Sequence, residues 1–312
     1  MGKYKILCFD GGGIRGILAA KLLDMLSKAV PGMLKNVRLY AGTSTGSIIA
    51  LALAYGAKPE IVVRLYVDNG PDIFTPFDVP FYEKFVRGIN KPKYNNIKLR
   101  KILEKNFAGS PVLGSLRGRV LVNAFKLKDG GNWKPVMMTN FPNSAYLNTP
   151  VVDAALRSSA APVYFPSYQG FIDGGVFANN PCINALSAAL DKRSGKAWLH
   201  QIRMLSFGTG FYPACLHHRD VVWGAMEWLD PFSKPSAPLL SILMDGSQIV
   251  DDYQCRMILG EKYCRVNIQL DKRVDLDDCR GVDYLVKSAA EFPAKKPEEW
   301  NYIVGWVKRN FV

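Results

Sequence analysis

Val37-Arg38-Leu39-Tyr40-Ala41-Gly42-Thr43-Ser44-Thr45-Gly46-Ser47, followed by the apolar run Ile48 to Leu53, decides how the chain is read. It spells a strand, a sharp turn and a helix, with a serine at the apex. Gly42 and Gly46 flank that serine at minus two and plus two, where a side chain would crowd the strand against the helix. The turn exposes the Ser44 hydroxyl, and the helix that follows aims its positive end at negative charge forming there. The pattern G-x-S-x-G therefore presents Ser44 as a nucleophile for an acyl carbon. The plain alternative is a small-residue turn in an α/β core, and other stretches must decide.

The whole chain bounds the answer. Its 312 residues suit one large α/β domain, because no linker divides them. Hydrophobic residues at 48% and charged ones at 21% argue for a globular protein and against disorder. No apolar run reaches the ~20 residues of a membrane-spanning helix. Met1-Gly2-Lys3-Tyr4-Lys5 runs straight into a strand, so no signal peptide is expected and the protein should stay cytoplasmic. The six cysteines, Cys8, Cys182, Cys215, Cys255, Cys264 and Cys279, form no C-x-x-C pair, which points to reduced thiols rather than a metal site.

The net charge of +13 is placed unevenly: Lys84 to Lys128 holds twelve basic residues and one acid, Glu104. Such a block suits phospholipid headgroups or a phosphate-bearing ligand, or else serves as a solvated face. Sequence-specific nucleic-acid binding lacks any supporting motif.

Near the start, the strand Tyr4 to Phe9 ends in Asp10-Gly11-Gly12-Gly13-Ile14-Arg15-Gly16, and a helical run follows. A glycine turn there offers backbone N–H groups to an anion. A pyrophosphate would require an acidic residue closing the next strand. That strand closes instead on the serine turn. The oxyanion of an acyl intermediate is the better fit, with Gly11, Gly12 and Gly13 as donors.

A helix is expected from Pro59 to Val67, a loop from Asp68 to Pro80, and a helix from Asn96 to Phe107. Arg119 to Leu127 and Lys134 to Thr139 read as a hairpin across Asp129-Gly130-Gly131-Asn132. Thr149 to Ser159 reads as an N-capped helix. A third informative stretch, Gly170-Phe171-Ile172-Asp173-Gly174-Gly175-Val176, is a short strand closing in an acid-glycine-glycine turn.

Further on, Trp223, Met226, Trp228, Leu229, Pro231 and Phe232 form a cluster expected to pack as core or lid, the alternative being an apolar flap facing a bilayer. Helices are expected from Pro238 to Leu259, Asp283 to Phe292 and Glu298 to Phe311, with an edge strand from Tyr263 to Leu270.

A serine needs a base. The three histidines are His200, His217 and His218, and a Ser44–Asp173–His order would suit a triad. His200 precedes a buried strand and reads as structural; His217 and His218 lie in a polar loop. The glycine turn also follows the first strand, unlike a lipase of the α/β-hydrolase type.

Together, Asp10 to Gly16, Gly42 to Gly46, Asp173 to Gly175 and the stretch Ser158-Ser159-Ala160-Ala161-Pro162-Val163-Tyr164-Phe165-Pro166 resemble the patatin-like phospholipase family. The likeness covers roughly residues 4 to 210, with 211 to 312 as an extension on the same domain. It implies a three-layer α/β/α fold with a central mostly parallel sheet. It implies a Ser-Asp dyad of Ser44 and Asp173, an oxyanion hole at Gly11 to Gly13, and hydrolysis of membrane phospholipid through an acyl-enzyme, with no metal and no cofactor.

Arg15, Gly42, Gly46 and Gly174 would support the site, Arg15 by holding the glycine turn or meeting a headgroup phosphate. Bacterial members of this length include antiphage effectors switched on by a cyclic dinucleotide, so such an activator is an expectation too. A homo-oligomer is left open. A different class, an idle binding protein using the basic segment 84 to 128, is disfavoured because it has no use for both Ser44 and Asp173.

Overall fold

In a computed structural model, residues 2–74, 91–213, 223–230 and 232–312 are described. Among these residues seven strands form one sheet: β1 (Tyr4–Phe9), β2 (Val37–Thr43), β3 (Arg119–Asp129), β4 (Asn132–Thr139), β5 (Phe171–Asp173), β6 (Ile202–Phe207) and β7 (Tyr263–Val266). The order is β4-β3-β2-β1-β6-β7, with β5 also on β3. β1 runs parallel to β2 and β6, β2 to β3, and β6 to β7; only β4 and β5 lie antiparallel, both on β3. The sheet is thus mostly parallel, as expected.

The strands are buried on both faces. Leu7, Phe9, Tyr40, Val122 and Phe207 point into one apolar cluster, and Ile6, Cys8, Leu39, Ala41 and Met204 into another. Alternation along β1 assigns each neighbour to an opposite face. On the first face lie α1 (Gly16–Ala29), α2 (Thr45–Tyr55), α3 (Pro59–Ile73), α4 (Ile97–Asn106) and α5 (Val151–Ser158). The second face is covered by α6 (Cys182–Leu190), joined beyond α7 (Ala225–Leu229) by α8 (Pro238–Leu259). The last helices, α9 (Val282–Lys295) and α10 (Pro297–Phe311), return to the first face. Three layers result, and the C-terminal extension contributes to both outer ones.

Most expected elements are present, with informative departures. Helix α3 continues through Gly70 and Pro71 to Ile73, where a loop was expected from Asp68. Gly70 is buried, and a Cβ there would lie 2.6 Å from Ile14 Cδ1, so close packing holds the turn that Pro71 weakens. No side chain caps α5; Pro150 itself occupies the N-cap position. The edge strand stops at Val266. In the hairpin, Gly130 and Gly131 both take positive φ, as its two-residue turn requires.

The stretch from Trp223 is not packed as core: Met226, Leu229 and Phe232 are exposed and Trp223 and Trp228 only half-buried, because α7 offers only five residues and packs chiefly on α8, while Pro231 lies outside the described residues. Helix α8 buries Met244, Gln248, Asp251, Cys255 and Leu259 while Leu243, Ile249, Val250 and Tyr253 face outward. Among the described residues no helix is long and apolar enough to cross a membrane. The five described cysteines are free, four of them buried.

Candidate active site

Strand β3 builds the site. Along one edge its first half pairs with β2 as far as Thr43 opposite Asn123. The same edge then pairs with β5, starting at Asp173 opposite Ala124. The residue after Thr43 is Ser44, so the two candidate side chains meet where one neighbour of β3 ends and the next begins. Backbone ladders, not loops, set their relation.

Ser44 holds φ 54° and ψ −124°, a region that side chains avoid. The turn is pinned around it. Ser44 N–H donates to Ser158 Oγ at 2.8 Å, and the Ser158 hydroxyl donates to the Asn123 carbonyl at 2.6 Å. Ser47 Oγ donates to the Ser44 carbonyl at 2.6 Å, and Thr43 Oγ1 to the Ala178 carbonyl at 2.7 Å. The flanking glycines have no room for a side chain: a Cβ on Gly42 would lie 2.2 Å from the Gly46 carbonyl oxygen, and one on Gly46 would lie 2.1 Å from that of Phe9. Gly46→Ala should therefore cost about 3 kcal/mol or more, since backbone must move. Denaturant unfolding with an unchanged midpoint would refute this.

Asp173 is buried at 2% exposure. Gly175 N–H donates to its Oδ1 at 2.7 Å, whereas Oδ2 is buried without a hydrogen-bond partner. Burial pushes the carboxyl up to about 7, against the opposing pull of the Ser44 hydroxyl and the Gly175 N–H. An ordinary aspartate is a poor base at neutral pH, whereas a carboxyl raised to about 7 matches the requirement for one. Gly174 leaves β5 against β3, with a Cβ position only 2.4 Å from the Asn123 carbonyl oxygen.

The glycine turn lies alongside. A Cβ on Gly11 would sit 3.3 Å from Ser44 Cβ, and Gly13 lines the same cavity as Ser44 and Asp173. One expected donor is already committed: Gly11 N–H donates to the Asn179 carbonyl at 2.9 Å. Gly12 and Gly13 N–H make no such bond among the described residues, which leaves those two as candidate donors. Asp10, at the end of β1, is held by Arg265 of β7, whose Nη2 lies 2.5 Å from Asp10 Oδ2. Thr209 Oγ1 and Asn179 Nδ2 both reach the Gly11 carbonyl, at 3.2 and 3.3 Å.

The cavity, about 570 Å³ with its open mouth included, is mainly apolar, with the hydroxyls of Thr45, Tyr66, Ser159 and Tyr164 as further polar groups in its lining. Ile48, Ile73, Phe74, Leu99, Phe165 and Met244 form its walls, a lining suited to an acyl chain. Arg15 lies outside it, half-buried in the wall of a neighbouring polar cavity.

His200 is not brought to the site. It is exposed, in the turn before β6, at the N-terminal end of parallel strands whose C-terminal ends carry Ser44 and the glycine turn. His217 and His218 lie outside the described residues. In the basic block, Lys93 pairs with Asp277, Lys98 with Asp72, Arg100 with Glu104 and Lys126 with Asp129. Lys84 and Arg87 lie outside the described residues. Among the described residues no group of His, Cys, Asp and Glu could hold a metal.

Ser158, Asn179 and Arg265 were not assigned roles from the sequence. Only Ser158 and Asn179 left a trace there, as members of polar pairs beside turns.

A strained serine turn on a parallel sheet, opening onto an apolar cavity, defines an α/β protein of the acyl-hydrolase type. A family model described as "Patatin-like phospholipase" matches residues 7–186, and the chain belongs to that family of lipid acyl hydrolases. It is 33% identical to Protein teg of Priestia megaterium over 293 residues, covering 86% of this chain and 88% of the relative. CotR of Bacillus subtilis is 32% identical over 288 residues, with the same shares covered. A protein named cGAMP-activated phospholipase, from Pseudomonas aeruginosa, is 27% identical over 289 residues, covering 90% of this chain and 82% of that one.

Proposed function

We propose that the chain hydrolyses phospholipid acyl esters through a dyad of Ser44 and Asp173. What carries this reading is the placement of both side chains at one apolar cavity, with Asp173 Oδ2 unpartnered and its carboxyl pushed up to about 7 by burial. Asp173 takes the hydroxyl proton as Ser44 Oγ bonds to the acyl carbon. The oxyanion is met by the N–H groups of Gly12 and Gly13. The intermediate collapses, the lysolipid oxygen leaves with the proton from Asp173, and an acyl-enzyme remains. Water then attacks, Asp173 again accepts a proton and returns it to Ser44 Oγ, and the fatty acid departs.

A finer reading concerns control. The relative named for activation by cGAMP supports a chain that stays idle until a cyclic dinucleotide binds, as in antiphage defence. One experiment addresses both levels: fluorophosphonate labelling, together with fatty-acid release from phospholipid vesicles, with and without a panel of cyclic dinucleotides. Labelling at Ser44 and release of fatty acid are expected, with release rising when the right dinucleotide is added. Absence of labelling and release under every condition refutes the hydrolase; release indifferent to the whole panel refutes only the activation.

A further inference from the structure

A second cavity, of about 370 Å³, adjoins the acyl cavity and shares Tyr164, Met244 and Leu276 with it. The first is apolar; this one carries four charges, Arg15, Arg273, Asp245 and Asp275. Two cancel, because Arg273 Nε donates to Asp275 Oδ1 at 2.8 Å. The other two do not. Among the described residues the Arg15 side chain makes no hydrogen bond or ion pair, and its Nε is buried without a partner. Asp245, on α8, is exposed and likewise makes neither among the described residues.

Such a cavity holds one spare cation and one spare anion beside the place where an ester would react. Burial lowers the Arg15 pKa, against the opposing influence of Asp245 and Asp275, so its guanidinium sits desolvated with neither carboxylate in hydrogen-bond or ion-pair contact. A buried donor of this kind gains most from an anion that brings its own oxygen acceptors. Phosphate fits, and the fork of a guanidinium matches it. A purely anionic headgroup, however, would also meet two carboxylates. A neutral lipid would leave Arg15 as it is. A group with phosphate at one end and an ammonium at the other satisfies both spare charges.

We propose that this cavity is the headgroup site for a zwitterionic phospholipid, Arg15 receiving the phosphate and Asp245 the alkylammonium. The proposal rests on Ser44 as acyl nucleophile, since that puts the scissile ester in the apolar cavity that adjoins this one. It assigns the choice of lipid class to Asp245, a residue that does no chemistry.

The test uses Ser44→Ala protein, so that binding is read without turnover. Glycerophosphoethanolamine, glycerophosphoglycerol and inorganic phosphate are titrated by calorimetry, and the titrations are repeated with Asp245→Lys added. Glycerophosphoethanolamine should bind about tenfold more tightly than either of the others, and the added lysine should reverse the order in favour of glycerophosphoglycerol. Equal binding of the two diesters, tighter binding of free phosphate, no binding of any, or an order that Asp245→Lys leaves unchanged overturns the proposal. Asp245 is exposed, and an unchanged circular-dichroism spectrum establishes that the variant is folded. Fluorophosphonate labelling of the parent chain decides the hydrolase reading separately.

Discussion

Asp173→Asn should give a folded protein whose ester hydrolysis falls by roughly 10³-fold or more, the range seen when a positioned base is lost. The same variant should be more stable than the parent at pH 8. The reason lies in the proton count. Burial raises the Asp173 carboxyl from 3.8 to about 7, so between those values the folded chain holds a proton that the unfolded chain has released. Stability from this group is therefore fully present below about 4 and is lost as pH rises towards 7.

Asparagine keeps an oxygen for Gly175 N–H and carries no charge to desolvate. A gain of about 1–3 kcal/mol at pH 8, vanishing by pH 4, is expected from denaturant curves of both proteins. Asp251 is also raised to about 7 by burial, so the difference between parent and variant is the quantity to read. In the parent, kcat/KM should rise with pH to a plateau above about 7. An acid limb with an ordinary aspartate midpoint, or full activity in the variant, would remove Asp173 as base.

Ser44→Ala is the larger loss: turnover should drop by roughly 10⁴–10⁶-fold, since the other hydroxyl that the turn brings to the cavity, that of Thr45, is bonded to the Tyr66 hydroxyl. Ser159 Oγ lines the same cavity and is buried without a partner, so it is the natural substitute to exclude. Ser159→Ala should retain labelling by a fluorophosphonate where Ser44→Ala loses it. Ser44→Gly adds a second reading. It too should be inactive, yet more stable than Ser44→Ala by about 1 kcal/mol, because glycine accepts φ 54° without strain. Equal stability would mean that the strain is small.

The serine turn was legible because everything it needs is local: two glycines, an apex residue and an apolar helix within a dozen positions. The hairpin at Gly130 and Gly131 was legible for the same reason. The three-layer fold was implied by the family resemblance, which rests on the strand–glycine–helix stretches early in the chain. The committed state of Gly11 N–H was not legible, since its acceptor, the Asn179 carbonyl, carries no side-chain signature. Arg265 looked like any strand arginine, and only the neighbouring β1 and β6 explain its bond to Asp10.

Helix α8 shows the limit of periodicity. Its apolar Leu243, Ile249 and Val250 face outward, whereas Gln248 and Asp251 are buried beside the sheet, and no hydropathy pattern would choose that face. The aromatic stretch after Trp223 misled in the same way, because large apolar side chains report a need for burial and not its fulfilment.

Strand β3 lends consecutive stations on one edge to β2 and then to β5. Whatever lies between those two visitors can lengthen, shorten or be exchanged, provided each still docks at its own station. Descendants of such a chain can thus remodel the walls that choose a substrate while the meeting of hydroxyl and carboxylate is inherited unchanged.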